Sequence, residues 1–369
     1  MMAIETRRDL ARHLQGQMAA SRGGWSASEA DEDAGRTMVK TYLVEAHGAD
    51  SDDATLAKMG GLGKKIGFDF AAAGESGLFR LQKKDVTFWC DTSTPRFWRL
   101  YTTALVKDAD DARDAIVSSA PWLDRVWIPP HYLETLADTV GAQMLTFSLS
   151  HDRRPVTEGD RPVTDSDFVT LRLWASNAQK TLHKLRTAHV FPHAVSVRSV
   201  RLRSGGDDAQ ADYCVAEYFH DGKITAGGTS FDEHNRVIVR MLRDYGDLVR
   251  SFEERYGIGA TTDASGRHVV AGQPVVLDLK WTVQDLEYAV QRIFAANDPF
   301  RLWGLPTRVS DGHFRARAVD LHVGGVLTFD ITQENVVIQL PRGVCGNTVV
   351  RFLNNLQFHV NADARAEAG

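Results

Sequence analysis

Cysteine is scarce in this chain: Cys90, Cys214 and Cys345 are the three, and no two form a C-x-x-C pair. That spacing excludes a zinc knuckle and a disulfide framework as organising devices and leaves three reduced thiols as the expectation. A long hydrophobic run is also missing. No stretch approaches the ~20 apolar residues needed to span a bilayer. The opening residues, "MMAIETRRDLARHLQGQMAASRGG", hold no apolar block of the secretory kind. The expected setting is the cytoplasm, with no membrane contact. Nor is there an excess of positive charge: 43 Lys and Arg against 48 Asp and Glu give a net charge of −5. Any contact with nucleic acid must then be made by a local patch, because the whole-chain field does not favour it. Two catalytic signatures are absent. There is no G-x-S-x-G elbow, and "GGLGKK" at 60–65 misses the phosphate-loop spacing, with Lys65 following Lys64 where Ser or Thr is required. This segment reads as an exposed basic loop whose Lys64 and Lys65 can touch a phosphate backbone.

What is present is an ordinary globular composition, 43% apolar and 25% charged over 369 residues, enough for two or three domains. Arginine far outnumbers lysine, a bias expected of a GC-rich bacterial genome. Residues 1–75 read as a helical segment followed by a flexible loop. Leu10, Leu14 and Met18 share one helical face, "SASEADEDAG" has the composition of a solvated linker, "TMVKTYLVEA" reads as a short helix, and "GADSDDATLAKMGGLGKKIG" as an exposed loop. Residues 76–150 read as a mixed α/β domain. "VTFWCDT" and "RFWRLYTTALV" flank the turn "TSTP" as in a hairpin. "DADDARDAIVSSA" carries acids in its first turn. "PHYLETLADTV" has proline at its start and Gly141 just past its end, the expected helix punctuation. A boundary falls in the proline-containing stretch 151–167.

From residue 165 the chain can be laid out twice, over 165–258 and over 272–361. Each pass reads strand, helix, four strands, helix, so the expected fold class is α+β: an N-terminal α/β domain, then two tandem β-α-β4-α units with antiparallel sheets. Gly227-Gly228 with Phe231-Asp232 lines up on Gly324-Gly325 with Phe329-Asp330. "YGDLVRSF" lines up on "CGNTVVRF", with Gly246, Val249 and Phe252 each one hundred positions before Gly346, Val349 and Phe352. The stretch "RVIVRML" is assigned to a strand in this layout, although Val237, Met241, Leu242 and Tyr245 equally suit a helix. Aligning Trp174 on Trp281 slips the strand by one residue and turns its apolar set to the wrong face, so those tryptophans do not correspond. In each unit the helices would cover one sheet face and leave the other open.

That order of elements resembles the duplicated module of the TATA-binding protein family, and "DGKITAGG" at 221–228 is similar in style to that family's strand pair around a glycine and a lysine. The resemblance covers residues 165–360 and concerns the fold. It implies a saddle-like sheet whose open face meets a macromolecule. The intercalating phenylalanine pairs of that family have no counterparts here, which argues against minor-groove kinking.

Basic residues sit on the third element of each pass: Arg198, Arg201 and Arg203 in "RSVRLR", and Arg315 and Arg317 in "FRAR". Arg201 with Arg203, and Arg315 with Arg317, would each project from one strand face and suit phosphate or carboxylate. The leading expectation is a non-enzymatic binding protein that engages nucleic acid through the open sheet face, without a small-molecule cofactor. A protein-interaction subunit of a larger bacterial complex is the second reading. A third reading is enzymatic. "VVLDLKW" carries Asp278 and Lys280 at the spacing of a PD-(D/E)xK nuclease, in which Asp278 would hold magnesium and Lys280 would orient water. The upstream acid it needs would be Asp263, in the loop-like "GATTDASGR"; the plain alternative is a solvated pair on a strand. His183, His189 and His193 cluster in sequence, but Pro192 opposes the helix that a metal site at this spacing requires.

Overall fold

The computed structural model describes residues 4–20, 38–152, 168–187, 195–206, 211–262, 264–279 and 286–366. It divides into two compact units: Met1–Phe147, Leu173–His183 and Ser199–Arg243 in the first, and Ser148–Arg172, Lys184–Arg198 and Asp244–Gly369 in the second. The elements begin with α1 (Arg7–Ala20), β1 (Val39–Ala46), α2 (Asp52–Ile66), β2 (Asp69–Ala72), β3 (Leu78–Lys83), β4 (Val86–Asp91), β5 (Phe97–Thr102) and α3 (Val106–Ser119). There follow β6 (Leu123–Arg125), α4 (Pro130–Val140), β7 (Gln143–Asp152), β8 (Phe168–Trp174), α5 (Ala178–Thr187), β9 (Ser196–Gly205), β10 (Tyr213–Phe219), β11 (Lys223–Gly228) and α6 (Phe231–Tyr256). The rest comprises β12 (Gly257–Thr262), β13 (His268–Ala271), β14 (Val275–Asp278), α7 (Leu286–Ile293), β15 (Leu302–Gly304), β16 (Thr307–Ser310), β17 (His313–Asp320), β18 (Val326–Thr332), β19 (Asn335–Pro341), α8 (Asn347–His359) and β20 (Arg365–Ala366). The fold is α+β, and among the strand pairs with a described register all are antiparallel apart from a short parallel contact between β12 and β19.

In the first unit the strand order is β2-β3-β4-β5-β1-β11-β10-β9, with β6 also paired to β1. Strand β1 is buried along its whole length. Its Tyr42 and Val44 stand opposite Leu100 and Trp98 of β5 and join a core with Phe79, Phe88, Met59 and Leu62 of α2, and Ile116 of α3. Each such fully buried side chain contributes roughly 1.5–3 kcal/mol. On the opposite face Thr41 Oγ1 lies 2.9 Å from His234 Nε2 of α6. The imidazole is fully buried, and desolvation pushes its pKa down to about 3. A further polar chain runs through the unit: Arg99 donates to Asp91 at 2.7 Å, and Arg7 of α1 donates to the same carboxylate at 3.0 Å and to Glu75.

Three expectations are revised here. "TMVKTYLVEA" is a strand rather than a helix, because a central strand buried on both faces shows no alternation, and Lys40 and Glu45 are buried with it. The expected loop from Gly48 to Gly67 is mostly helix α2. Ser51 caps it by accepting from the Ala54 N–H at 3.2 Å, Asp52 and Asp53 fill the first turn, Lys64 and Lys65 the last, and Gly67 closes it with a φ of 75°. Its Gly63 serves packing: a Cβ there would lie 2.5 Å from the Phe68 carbonyl oxygen. Because β1 and α2 share one core with β3, β4 and β5, the expected boundary between residues 75 and 76 cuts through a single hydrophobic cluster. The linker "SASEADEDAG" and most of 151–167 lie outside the described residues.

In the second unit, β13-β12-β19-β18-β17-β15 form a sheet in which β14 also pairs with β19 and β16 with β17. Val275 and Leu277, Phe314 and Ala316, Phe329 and Ile331, and Val336 and Ile338 are buried on one face. Val290 and Ile293 of α7 and Val349 and Phe352 of α8 are buried too. Phe329 meets Phe294 with ring centroids 5.1 Å apart and Phe352 at 5.2 Å. Below them Arg351 forms a fully buried ion pair with Asp320, which also accepts from Thr348 Oγ1 and from the His322 N–H at 3.0 Å.

The β-α-β4-α path is present. It runs from β14 through α7, the broken strand β15/β16, β17, β18 and β19 to α8, with β14 antiparallel to β19. The same connectivity occurs in the first unit from β1 through α2, β2, β3, β4 and β5 to α3, with β1 antiparallel to β5. The stretch 165–258 reads differently. "RVIVRML" is part of the single helix α6, so three strands follow α5, and β11 lies between β1 and β10. The two echoing stretches are neighbours within the second unit. The Tyr245 hydroxyl bonds the Asn347 side chain, and the Gly346 N–H donates to Glu253 Oε1 at 2.8 Å.

Candidate functional site

The second sheet leaves one face open, as its alternation demands. In β17 Phe314, Ala316 and Ala318 are buried, while Arg315 and Arg317 are exposed and His313 and Val319 half-buried. Antiparallel register sets Arg317 opposite Thr328, which in turn faces Gln339, and sets Arg315 opposite Asp330, which faces Val337. On the neighbouring strand β15, Trp303 stands opposite Val319 with 55% of its surface exposed. Beyond it Leu305 is 78% exposed, and every residue of β16 is exposed.

The two arginines differ electrostatically. Arg315 donates to Asp330 Oδ1 at 2.9 Å, and a ring nitrogen of His313 lies 3.1 Å from the same oxygen. Partial burial would raise the Asp330 carboxyl, yet these two bonds outweigh it and hold the group below the usual carboxylate range. Arg317 has no hydrogen-bond or ion-pair partner for its guanidinium among the described residues. A planar fork of five donors standing free on a β-sheet, close to an exposed indole, can take an anion at one point and a ring at another.

The other expected basic residues are placed less favourably. Arg198 is exposed on β9. Arg201 and Arg203 do share a face, but Arg201 is held by Glu217 at 3.0 Å, and Arg203 stacks on Tyr213 at 5.1 Å and donates to the Gly206 carbonyl. Glu217 compensates the charge of Arg201 as Asp330 compensates that of Arg315, while the ring and carbonyl contacts of Arg203 orient its guanidinium without neutralising it. Lys64 and Lys65 lie in the last turn of α2, where Lys65 Nζ donates to the Ser119 carbonyl at 3.3 Å, and not in a loop. Asp278 is exposed at the end of β14, opposite Asn335 and Arg365. Lys280 and Asp263, the other two members of the nuclease motif, lie outside the described residues, as do His189 and His193. Among the described residues no side chain pairs with Asp278.

A second feature has no counterpart in the sequence expectations. In the first unit a groove of about 1110 Å³ lies between α1 and the sheet face that carries Arg80 and Trp89. Those two are directly opposed on β3 and β4, and Gln82 and Thr87 form the next pair on the same face. Register alone brings them together, so nothing adjacent in sequence announces them.

None of the three cysteines forms a disulfide among the described residues, and all three are buried, as expected of reduced thiols. Burial raises the Cys90 thiol well above its ordinary range and pushes Cys214 up to about 12, so neither is poised as a nucleophile. No helix among the described residues is long and apolar enough to cross a membrane.

Comparison with known proteins gives one family. The protein MJECL33 of the archaeon Methanocaldococcus jannaschii, itself uncharacterized, is 23% identical over 361 residues, covering 87% of this chain and 84% of that protein. No solved structure matches. The profile of the MJECL33-like proteins matches residues 1–369, and the chain belongs to that family.

Proposed function

We propose that the chain is a non-enzymatic binding protein whose open second-sheet face engages nucleic acid. The observation that carries this reading is Arg317: an exposed guanidinium without a partner among the described residues, two positions from Arg315 and one strand from exposed Trp303. Free cations supply the salt-dependent part of such binding, and aromatic rings on a sheet supply stacking platforms for unpaired bases. The β-α-β4-α connectivity of the second unit supports the resemblance to the TATA-binding protein module and its use of a sheet face. With one free arginine and one compensated arginine on the face, affinity is modest and falls with salt.

The test is fluorescence anisotropy of a labelled single-stranded oligonucleotide titrated with the full chain at several salt concentrations. Arg317→Glu should weaken binding at least tenfold and flatten the dependence on log salt by about one unit, as loss of one phosphate contact does. Absence of binding at low salt, or a variant indistinguishable from the parent, would refute the reading. A second reading, docking of a protein partner, is favoured by exposed Leu305 and Val309 along the same edge. It predicts that affinity purification from the native host recovers a stoichiometric partner whose association Leu305→Asp abolishes.

A further inference from the structure

The groove of the first unit has the chemistry of a small-ligand site, and it stands independently of the reading proposed for the second sheet. Its floor is Trp89 beside Arg80, and its α1 wall presents Arg12 and His13. Arg80 and His13 have no hydrogen-bond or ion-pair partner among the described residues, and Arg12 reaches only Asp9, at 3.5 Å. An indole next to a guanidinium binds a flat ring on its face by stacking and cation–π attraction. Polar groups for the edge of that ring are at hand in Gln82 and Thr87, with Asp85 in the β3–β4 turn. The α1 wall adds a guanidinium and an imidazole, and a phosphate fits both the fork of Arg12 and a ring N–H of His13.

We propose that this groove binds a free nucleotide, with the base over Trp89 and Arg80 and the phosphate at the α1 wall. A lipid tail would desolvate these cations without compensating them. A neutral sugar could stack on the indole but would leave the cations without a partner. Strand addition is also disfavoured, because the lining comes from a sheet face rather than from a sheet edge.

The test uses the full chain and isothermal titration with each of the four ribonucleoside 5′-monophosphates, the matching nucleosides, and a ten-residue single-stranded oligonucleotide. The expected result is saturable binding of at least one monophosphate, with its nucleoside bound at least ~10-fold more weakly because the phosphate contact is lost. Trp89→Leu and Arg80→Gln should each weaken that monophosphate ~10-fold or more. Arg80 is exposed, so an unchanged unfolding midpoint in Arg80→Gln separates loss of binding from loss of fold. The proposal is overturned if no monophosphate saturates the chain at millimolar concentration, if both variants bind as the parent does, or if the oligonucleotide alone binds. An equal affinity for nucleoside and monophosphate would likewise overturn it.

Discussion

Acidification should destabilise the first unit through His234, and the size of the effect follows from the structure. Its Nε2 faces Thr41 Oγ1 at 2.9 Å, the Phe231 ring centroid lies 5.8 Å from its own, and its Nδ1 has no hydrogen-bond partner among the described residues. Protonation would place a bare N–H and a full charge in that pocket, so the folded-state pKa drops to about 3 from an ordinary value near 6.5. Between those two values the unfolded chain binds the extra proton and the folded chain does not. Stability is therefore intact above pH ~6.5 and declines as pH falls, by about 1.4 kcal/mol per pH unit. At pH 5 the loss is about 2 kcal/mol, and it approaches about 4–5 kcal/mol near pH 3. Asp221 and Asp330 also have folded-state values below the carboxylate range, but their contributions fade only below pH ~4, outside the comparison window. His234→Gln keeps an amide that can bond Thr41 and removes the titration. Urea unfolding followed by tryptophan fluorescence at pH 7.5 and pH 5 should show the parent losing about 2 kcal/mol more than the variant across that interval. Parallel losses in the two proteins would refute the reasoning, since every other histidine is common to both.

Three further outcomes follow from particular contacts. Asp320→Ala strands the fully buried Arg351 guanidinium and should cost about 3–5 kcal/mol in chemical denaturation of the second unit; a cost under about 1 kcal/mol would mean that the pair is hydrated. Gly63→Ala should lower the melting temperature even though alanine is the better helix former, because its Cβ would lie 2.5 Å from the Phe68 carbonyl oxygen; overpacking of about 1–3 kcal/mol exceeds a propensity gain of about 1 kcal/mol. Arg201→Glu, facing Glu217, should reduce stability but leave the salt dependence of nucleic-acid binding unchanged, in contrast to Arg317→Glu; equal effects of the two variants on that dependence would contradict the difference drawn between the arginines.

Elements with one polar side were legible in the sequence. Helix α4 is bounded by Pro130 and Gly141 as its punctuation predicts, and β17 shows the alternation that placed Arg315 and Arg317 on one face. Legibility failed where burial is two-sided or where a residue serves an unusual role. Strand β1 has no polar face to reveal its period, and glycines that signal a breaker are accommodated in α2 by its caps and by the close approach at Gly63. The hairpin of β12 and β13 was missed because all four residues of β13 are exposed or half-exposed, leaving no buried stripe to read. The site follows the same division. A pair such as Arg315 and Arg317 can be read from alternation within one strand, whereas the difference between a free Arg317 and a neutralised Arg201 depends on which strand lies alongside. Trp89 and Arg80 are nine positions apart, and only the β3–β4 register makes them one surface.

The recurrence of "YGDLVRSF" and "CGNTVVRF" shows how a sequence signal can be real and have a sufficient local cause. Gly246 lies in the middle of α6, whereas Gly346 stands at the entry to α8, so the two glycines hold unlike positions in their helices. A Cβ at Gly346 would come within 2.4 Å of the Val249 carbonyl oxygen and 3.3 Å of the Phe252 Cβ, both in the first of the two stretches. Glycine is needed there so that the end of one helix can rest on the backbone of another, and Glu253 then accepts the N–H that the close approach exposes. Val249 and Phe252 are buried in α6 and Val349 and Phe352 in α8, and a spacing of three marks a buried stripe on any helix. The shared pattern is thus accounted for by two amphipathic helices that pack against each other through a glycine, and shared descent of the two segments is not required to explain it.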